Sequence, residues 1–183
     1  MNDSPMELLE SAISSCEKEY AELCDNWRAL DQKSQGLLQV AGVMIGLLAA
    51  FATKLQDGNE MPPLWHLAIL ATEGIAFVLL AVCTAFAVGA LKVARVRHAP
   101  RGTGWEEMAV TCADAVPSNE QMRFIKKRLI DEWRKTNEDV WSVNETKASR
   151  LEEAQSWLFS AGVGISLAAL EFLAAQAASV VCR

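Results

Sequence analysis

Three apolar stretches, each long enough to cross a lipid bilayer, constrain this chain more than any other feature. They occupy residues 36–53, 64–91 and 156–182. At 1.5 Å of rise per residue, an 18-residue helix covers about 27 Å and a 28-residue helix about 42 Å, against a hydrocarbon core of about 30 Å. The two longer stretches therefore tilt or extend into the headgroups. Helices of a small water-soluble domain carry one apolar face and one polar face. A chain of 183 residues cannot wrap three wholly apolar helices in a soluble core. The expectation is an all-α membrane protein with three transmembrane helices.

The remaining composition narrows the function classes. With 23 acidic against 17 basic residues and a net charge of −6, no nucleic-acid-binding surface is expected. The first apolar stretch follows a long, acidic polar segment, unlike the basic, extreme N-terminal start of a signal peptide. Cys16, Cys24, Cys83, Cys112 and Cys182 are odd in number, irregularly spaced and free of any CxxC pair, which argues against a disulfide framework. The only two histidines, His66 and His98, fall on opposite sides of the predicted membrane, so no zinc site is expected. No Ser/His/Asp or Cys/His set assembles on one side, and no glycine loop suits a phosphate. Neither an enzyme nor a cofactor is expected.

Basic residues set the predicted orientation, because short cytoplasmic flanks are enriched in Lys and Arg. Arg28 and Lys33 precede the first stretch, and only Lys54 lies between the first and second. Lys92, Arg95, Arg97 and Arg101 follow the second, and Lys147 and Arg150 precede the third. The N-terminus and the 92–155 segment are thus assigned to the cytoplasm and the C-terminus to the outside. Trp65 and Trp157 fall at stretch ends, where indole rings favour the interface.

Two polar segments are predicted to be helical. Ser4, Pro5 and Glu7 form a helix start with a capping box. Downstream, Leu9, Ile13, Cys16, Tyr20, Leu23, Trp27 and Leu30 recur in steps of four and three. That 3.5-residue period makes an N-terminal amphipathic cytoplasmic helix with one apolar seam. The seam's partner is either the second polar helix of the same chain or another subunit. The second helix starts at Ser118 and Gln121, another capping box. It carries Met122, Ile125, Leu129, Trp133, Val140, Leu151 and Ala154 and meets no breaker before the third stretch. Between residues 99 and 116 lies an irregular stretch, in which Trp105 to Met108 suggest a short helix.

Within the apolar stretches, Gly42 and Gly46 form a GxxxG that suits close helix packing. Ala81, Ala85 and Gly89 repeat that spacing in the second stretch, and Ser160, Gly164 and Ala168 in the third. Glu73 and Glu171 lie at similar depth, slightly outside the midplane. An intramembrane carboxylate costs at least about 2.5 kcal/mol to insert, and no Lys or Arg stands at that depth. Either each is protonated and hydrogen-bonded to Gln39, Thr72 or a neighbouring Glu, or together they line a cation-permeable pore in an oligomer.

The first entry into the membrane reads Leu30-Asp31-Gln32-Lys33-Ser34-Gln35-Gly36-Leu37-Leu38, then Val40-Ala41-Gly42. With Asp31, Lys33, Ser34, Leu37 and Leu38 as the matching positions, it resembles the corresponding segment of small bacterial antiviral membrane effectors. The layout is similar to that of Pycsar effectors and to two-span effector domains associated with nucleotide second-messenger synthases. Lys147 and Ala148, with Leu151 and Ala154, resemble the stretch ahead of their last span. The segment Ala94 to Pro100 departs from the Asn- and aromatic-rich segment of that family. The resemblance implies an antiphage effector of the bacterial inner membrane, triggered by a cyclic nucleotide or a partner protein.

The expected organisation is a cytoplasmic amphipathic helix over 1–35, a transmembrane hairpin over 36–91 (36–53 and 64–91), a cytoplasmic segment with a long helix over 92–155, and a third transmembrane helix over 156–183. The expected partners are the lipid bilayer, further copies of the chain in a homo-oligomer and the triggering ligand or protein. The competing readings are a membrane-anchored scaffold or accessory subunit and a constitutive channel subunit.

Overall fold

Proline and serine start the helices. The computed structural model describes residues 5–57, 63–92 and 118–181. These form three helices, α1 (Pro5–Asp57), α2 (Pro63–Leu91) and α3 (Asn119–Val181). Both α1 and α2 open on a proline, whose fixed φ suits the first helical position and whose missing N–H would be unpaired there anyway. Ser118 caps α3 reciprocally. Its N–H donates to Gln121 Oε1 at 2.8 Å, and the Gln121 N–H donates to Ser118 Oγ at 3.3 Å, the box that the sequence predicts. The cap expected at Ser4, the short helix at Trp105–Met108 and Cys112 lie outside the described residues.

Both long helices join a polar and an apolar segment, and for α3 the lack of a breaker before the third stretch already suggests this. α1 has 53 residues and runs through residue 35 without a turn, and α3 has 63 and runs through residue 155. The polar segment over 1–35 and the first apolar stretch thus share one continuous helix, with Asp31 and Lys33 inside it. A lone mid-helix glycine such as Gly36 costs only about 1 kcal/mol. No proline interrupts either helix, and no described residue has positive φ. All three helices carry a segment long and apolar enough to cross a membrane.

Two compact units divide the chain, Met1–Ala29 with Val93–Thr146, and Leu30–Lys92 with Lys147–Arg183. In the first, α1 and α3 run parallel. Glu10 pairs with Lys126, the Cys16 carbonyl with Asn137 and the Leu23 carbonyl with Asn144, in ascending order along both helices. Tyr20 meets Trp133 edge-on, with ring centroids 5.4 Å apart. Leu23, Trp133 and Val140 are buried between the helices.

In the second unit, α1 and α3 are again parallel, with Asp31 against Lys147 and Phe51 against Phe172. α2 runs opposite to them, since Thr72 meets Glu171 and Gly89 meets Arg150. Its buried residues are Ile69, Glu73, Ala76, Leu80, Cys83, Ala87 and Ala90, in alternating steps of four and three. α3 answers with Ala154, Ala161, Ala168 and Ala175, none more than 1% exposed. An alanine every seventh residue keeps the seam thin, so α2 comes close. A Cβ built on Gly164 would stand 3.3 Å from the Ala76 Cβ. Outside these seams Leu64, Leu67, Ile75, Phe159 and Leu170 are exposed. In water each would forgo about 1.5–3 kcal/mol of burial, whereas in lipid the same side chains are solvated.

Candidate functional site

Two carboxyl groups carry the unusual chemistry of the second unit. Glu171 on α3 accepts a hydrogen bond from the Thr72 hydroxyl of α2 at 3.1 Å, one of the partners that the sequence suggests. Thr72 also donates to the Ala68 carbonyl at 3.0 Å, so its hydroxyl is shared between the helix backbone and the carboxyl group. Glu73, the next residue on α2, turns to a different neighbour. It is only 7% exposed, and among the described residues its Oε1 is buried with no hydrogen-bond partner.

Glu73 lies on the wall of an apolar groove of about 290 Å³ between α1 and α2, with Ile45, Leu48, Ala49, Leu70 and Phe77. A bare carboxylate in such surroundings would forgo both water and a counter-charge. The neutral acid needs neither, and it keeps a donor and an acceptor available. The two glutamates thus share a depth and differ in setting: Glu171 is tied to Thr72, and Glu73 faces an open apolar slot.

At the other end of this unit three helices are joined by polar contacts. Lys147 Nζ donates to Asp31 Oδ1 at 2.6 Å, with side-chain exposures of 5% and 33%. Arg150 donates to the Gly89 carbonyl of α2. Ser34, one turn beyond Asp31, is wholly buried, and its Oγ has no partner among the described residues. Of the predicted entry motif, Asp31 forms this bridge and Lys33 is exposed. The pairing of Asp31 with Lys147 was not foreseen, because the two residues are distant in sequence and each also serves as a membrane-flanking charge.

The first unit contains two buried asparagines that hydrophobic periodicity passes over. Asn137 Nδ2 donates to the Cys16 carbonyl at 3.1 Å and to Glu19 Oε2 at 2.9 Å. Asn144 Nδ2 donates to the Leu23 carbonyl at 2.8 Å. Both sit on the 3.5-residue track that connects Trp133, Val140 and Leu151, where asparagine fixes register at a cost in stability. The step pattern itself, extended through polar residues, was the signal that could have found them. Burial, then the neighbouring Glu19 and Glu17 carboxylates, pushes the Cys16 thiol above its ordinary pKa. It is a protonated, poorly nucleophilic group near neutral pH.

Two packing features that the sequence leaves open take the following places. Leu9, Ile13, Cys16, Tyr20, Leu23, Trp27 and Leu30 are all half-buried or buried, and the part of this seam in the first unit is covered by α3 of the same chain. A Cβ built on Gly42 or Gly46 finds no neighbouring atom within 4 Å among the described residues. The inward-facing positions of α1 are Ala41, Met44 and Leu48, and the two glycines lie off that track. Intrachain close packing falls to Gly164 and the α3 alanines instead.

The described residues thus define a helical class, with three helices long and apolar enough to cross a membrane. The chain matches no family model, curated protein or solved structure with which it was compared.

Proposed function

We propose that this chain is a triggered effector of a bacterial inner membrane that assembles and depolarises it, and that Glu73 is the group on which the permeability depends. The single observation that carries the reading is Glu73 itself, buried among apolar side chains with one oxygen unpartnered. A carboxyl group held there against its insertion cost marks function more often than packing. Glu171 at matching depth adds a second carboxyl per copy, so an assembly holds a ring of them. The antiphage setting and a cyclic-nucleotide or protein trigger rest on the resemblance of the Asp31–Leu38 segment. The cytoplasmic N-terminus and outside C-terminus rest on the basic flanks.

Induced expression of the full chain, read with a membrane-potential dye, tests this. The native chain is expected to depolarise cells once triggered or overproduced. Glu73→Gln is expected to reach the membrane at the same level and lose at least about tenfold in depolarisation rate, because the amide keeps the shape and cannot ionise. Full activity in the Glu73→Gln, Glu171→Gln double variant overturns the carboxyl role.

One observation favours a second reading, a membrane-anchored scaffold. Trp141 and Phe124 stand 57% and 66% exposed in the first unit, where an aromatic surface suits a protein partner.

A further inference from the structure

The seam along the start of α1 is closed by α3 of the same chain, so it offers a neighbour little surface. What stays open in the same unit is a groove of about 510 Å³ on one side of the helix pair, lined by Cys16 and Glu19 of α1 and by Ile130, Arg134, Glu138 and Trp141 of α3. Ile130, Arg134, Glu138 and Trp141 follow one another in steps of four, four and three, which places them along one face of α3. Trp141 is 57% exposed, an expensive residue to leave in water and a frequent anchor at interfaces.

Charge on this face is mixed and loosely held. Arg134 Nε donates to Glu138 at 3.0 Å, with side-chain exposures of 76% and 62%, and an exposed pair of this kind contributes little. Either partner can therefore exchange to a new opposite charge. Asn137, 4% exposed, forms part of the groove wall, and among the described residues its Oδ1 has no hydrogen-bond partner.

The face thus holds an aromatic knob, a slot beside it, one cation and two anions. A surface that contains both halves of its own complement fits a copy of itself. Two copies with their α3 helices side by side and parallel set Arg134 of one about 6 Å along the axis from Glu138 of the other.

We propose that this groove is a self-association face. A second copy of the chain seats its Trp141 against it, and Arg134 of each copy turns to Glu138 and Glu19 of the other. The inference rests on the assembling-effector reading and supplies its contact surface.

Two differently tagged full-length chains, co-expressed and extracted in mild detergent, provide the test. The native chains are expected to co-purify. Arg134→Glu alone and Glu138→Arg alone are each expected to reduce co-purification about tenfold, since each places like charges face to face across the contact. When one tag carries Arg134→Glu and the other Glu138→Arg, association is expected to return to within about twofold of native. Neither of these chains holds its own internal pair, so that recovery reports a contact between copies. Trp141→Ala is expected to weaken association with unchanged helical circular dichroism. Native chains that do not co-purify, single variants that associate normally, or a mixed pair that fails to recover each overturn the proposal, as does a different protein holding the groove in place of a second copy. The depolarisation assay separates the two ideas: association without depolarisation removes the effector reading alone, and depolarisation by chains that never associate removes this face alone.

Discussion

Lys147 shows how one residue serves two purposes. Its position before the third apolar stretch gives it a topological role, and its side chain, 5% exposed, is bound to Asp31 at 2.6 Å. A buried ion pair gains little net stability over an apolar pair, yet removing one partner leaves the other charge poorly compensated. The two ends are unequal, because Asp31 retains a third of its side-chain surface and can turn to water. Asp31→Ala, which leaves the more deeply buried ammonium without that acceptor, is expected to lower stability by about 2 kcal/mol, and Lys147→Met by less than about 1 kcal/mol. Thermal unfolding of the full chain in one detergent measures both. The reverse order would show that the bridge is held from the Asp31 side.

At the scale of the element, the seam positions decide which small residues matter. A Cβ built on Gly164 would stand 3.3 Å from the Ala76 Cβ, whereas one built on Gly42 or Gly46 finds no neighbouring atom within 4 Å among the described residues. Gly164→Leu is expected to force α2 and α3 apart and destabilise by about 1–3 kcal/mol. The Gly42→Leu, Gly46→Leu pair is expected to stay within about 0.5 kcal/mol of native. Unfolding midpoints of the two variants in one detergent check the contrast, and equal losses would mean that α1 packs through its glycines after all. The GxxxG spacing was visible in the sequence, but spacing alone does not say which face a helix turns inward. The alanine at every seventh residue from Ala154 to Ala175 was equally visible, and it is the pattern that the packing uses. The lesson is one of phase. Steps of four and three continue through Ser34, Glu73, Asn137, Asn144 and Lys147, and a reading confined to apolar residues loses the track at each of these polar members.

For the whole molecule, helix direction is the main constraint. α1 and α3 are parallel and α2 opposes them in the second unit, so the membrane-proximal ends at Asp31, Gly89 and Lys147 lie together. The basic flanks predict that the N-terminal end and the segment after Lys92 share the cytoplasmic side. Reporter fusions are expected to be cytoplasm-active after Arg101 and periplasm-active after Arg183. Both fusions active in the same compartment would break the parallel relation of α1 and α3 and with it the matched depth of Glu73 and Glu171.

By itself the sequence determined the number of apolar helices and the capping box at Ser118, because each is written in local spacing and in contiguous hydropathy. It also marked Glu73 and Glu171, since a carboxyl inside an apolar run is conspicuous whatever surrounds it. Only the tertiary structure decided that α3 covers the part of the α1 seam in the first unit, that Lys147 closes on Asp31, that Glu171 takes the Thr72 hydroxyl while Glu73 faces an apolar slot, and that a Cβ on Gly42 or Gly46 would meet no neighbour among the described residues. Each of those outcomes depends on which helix lies opposite at a given height and on the angular phase at which it arrives. Those quantities are fixed by packing between residues far apart in the chain, and no local spacing records them.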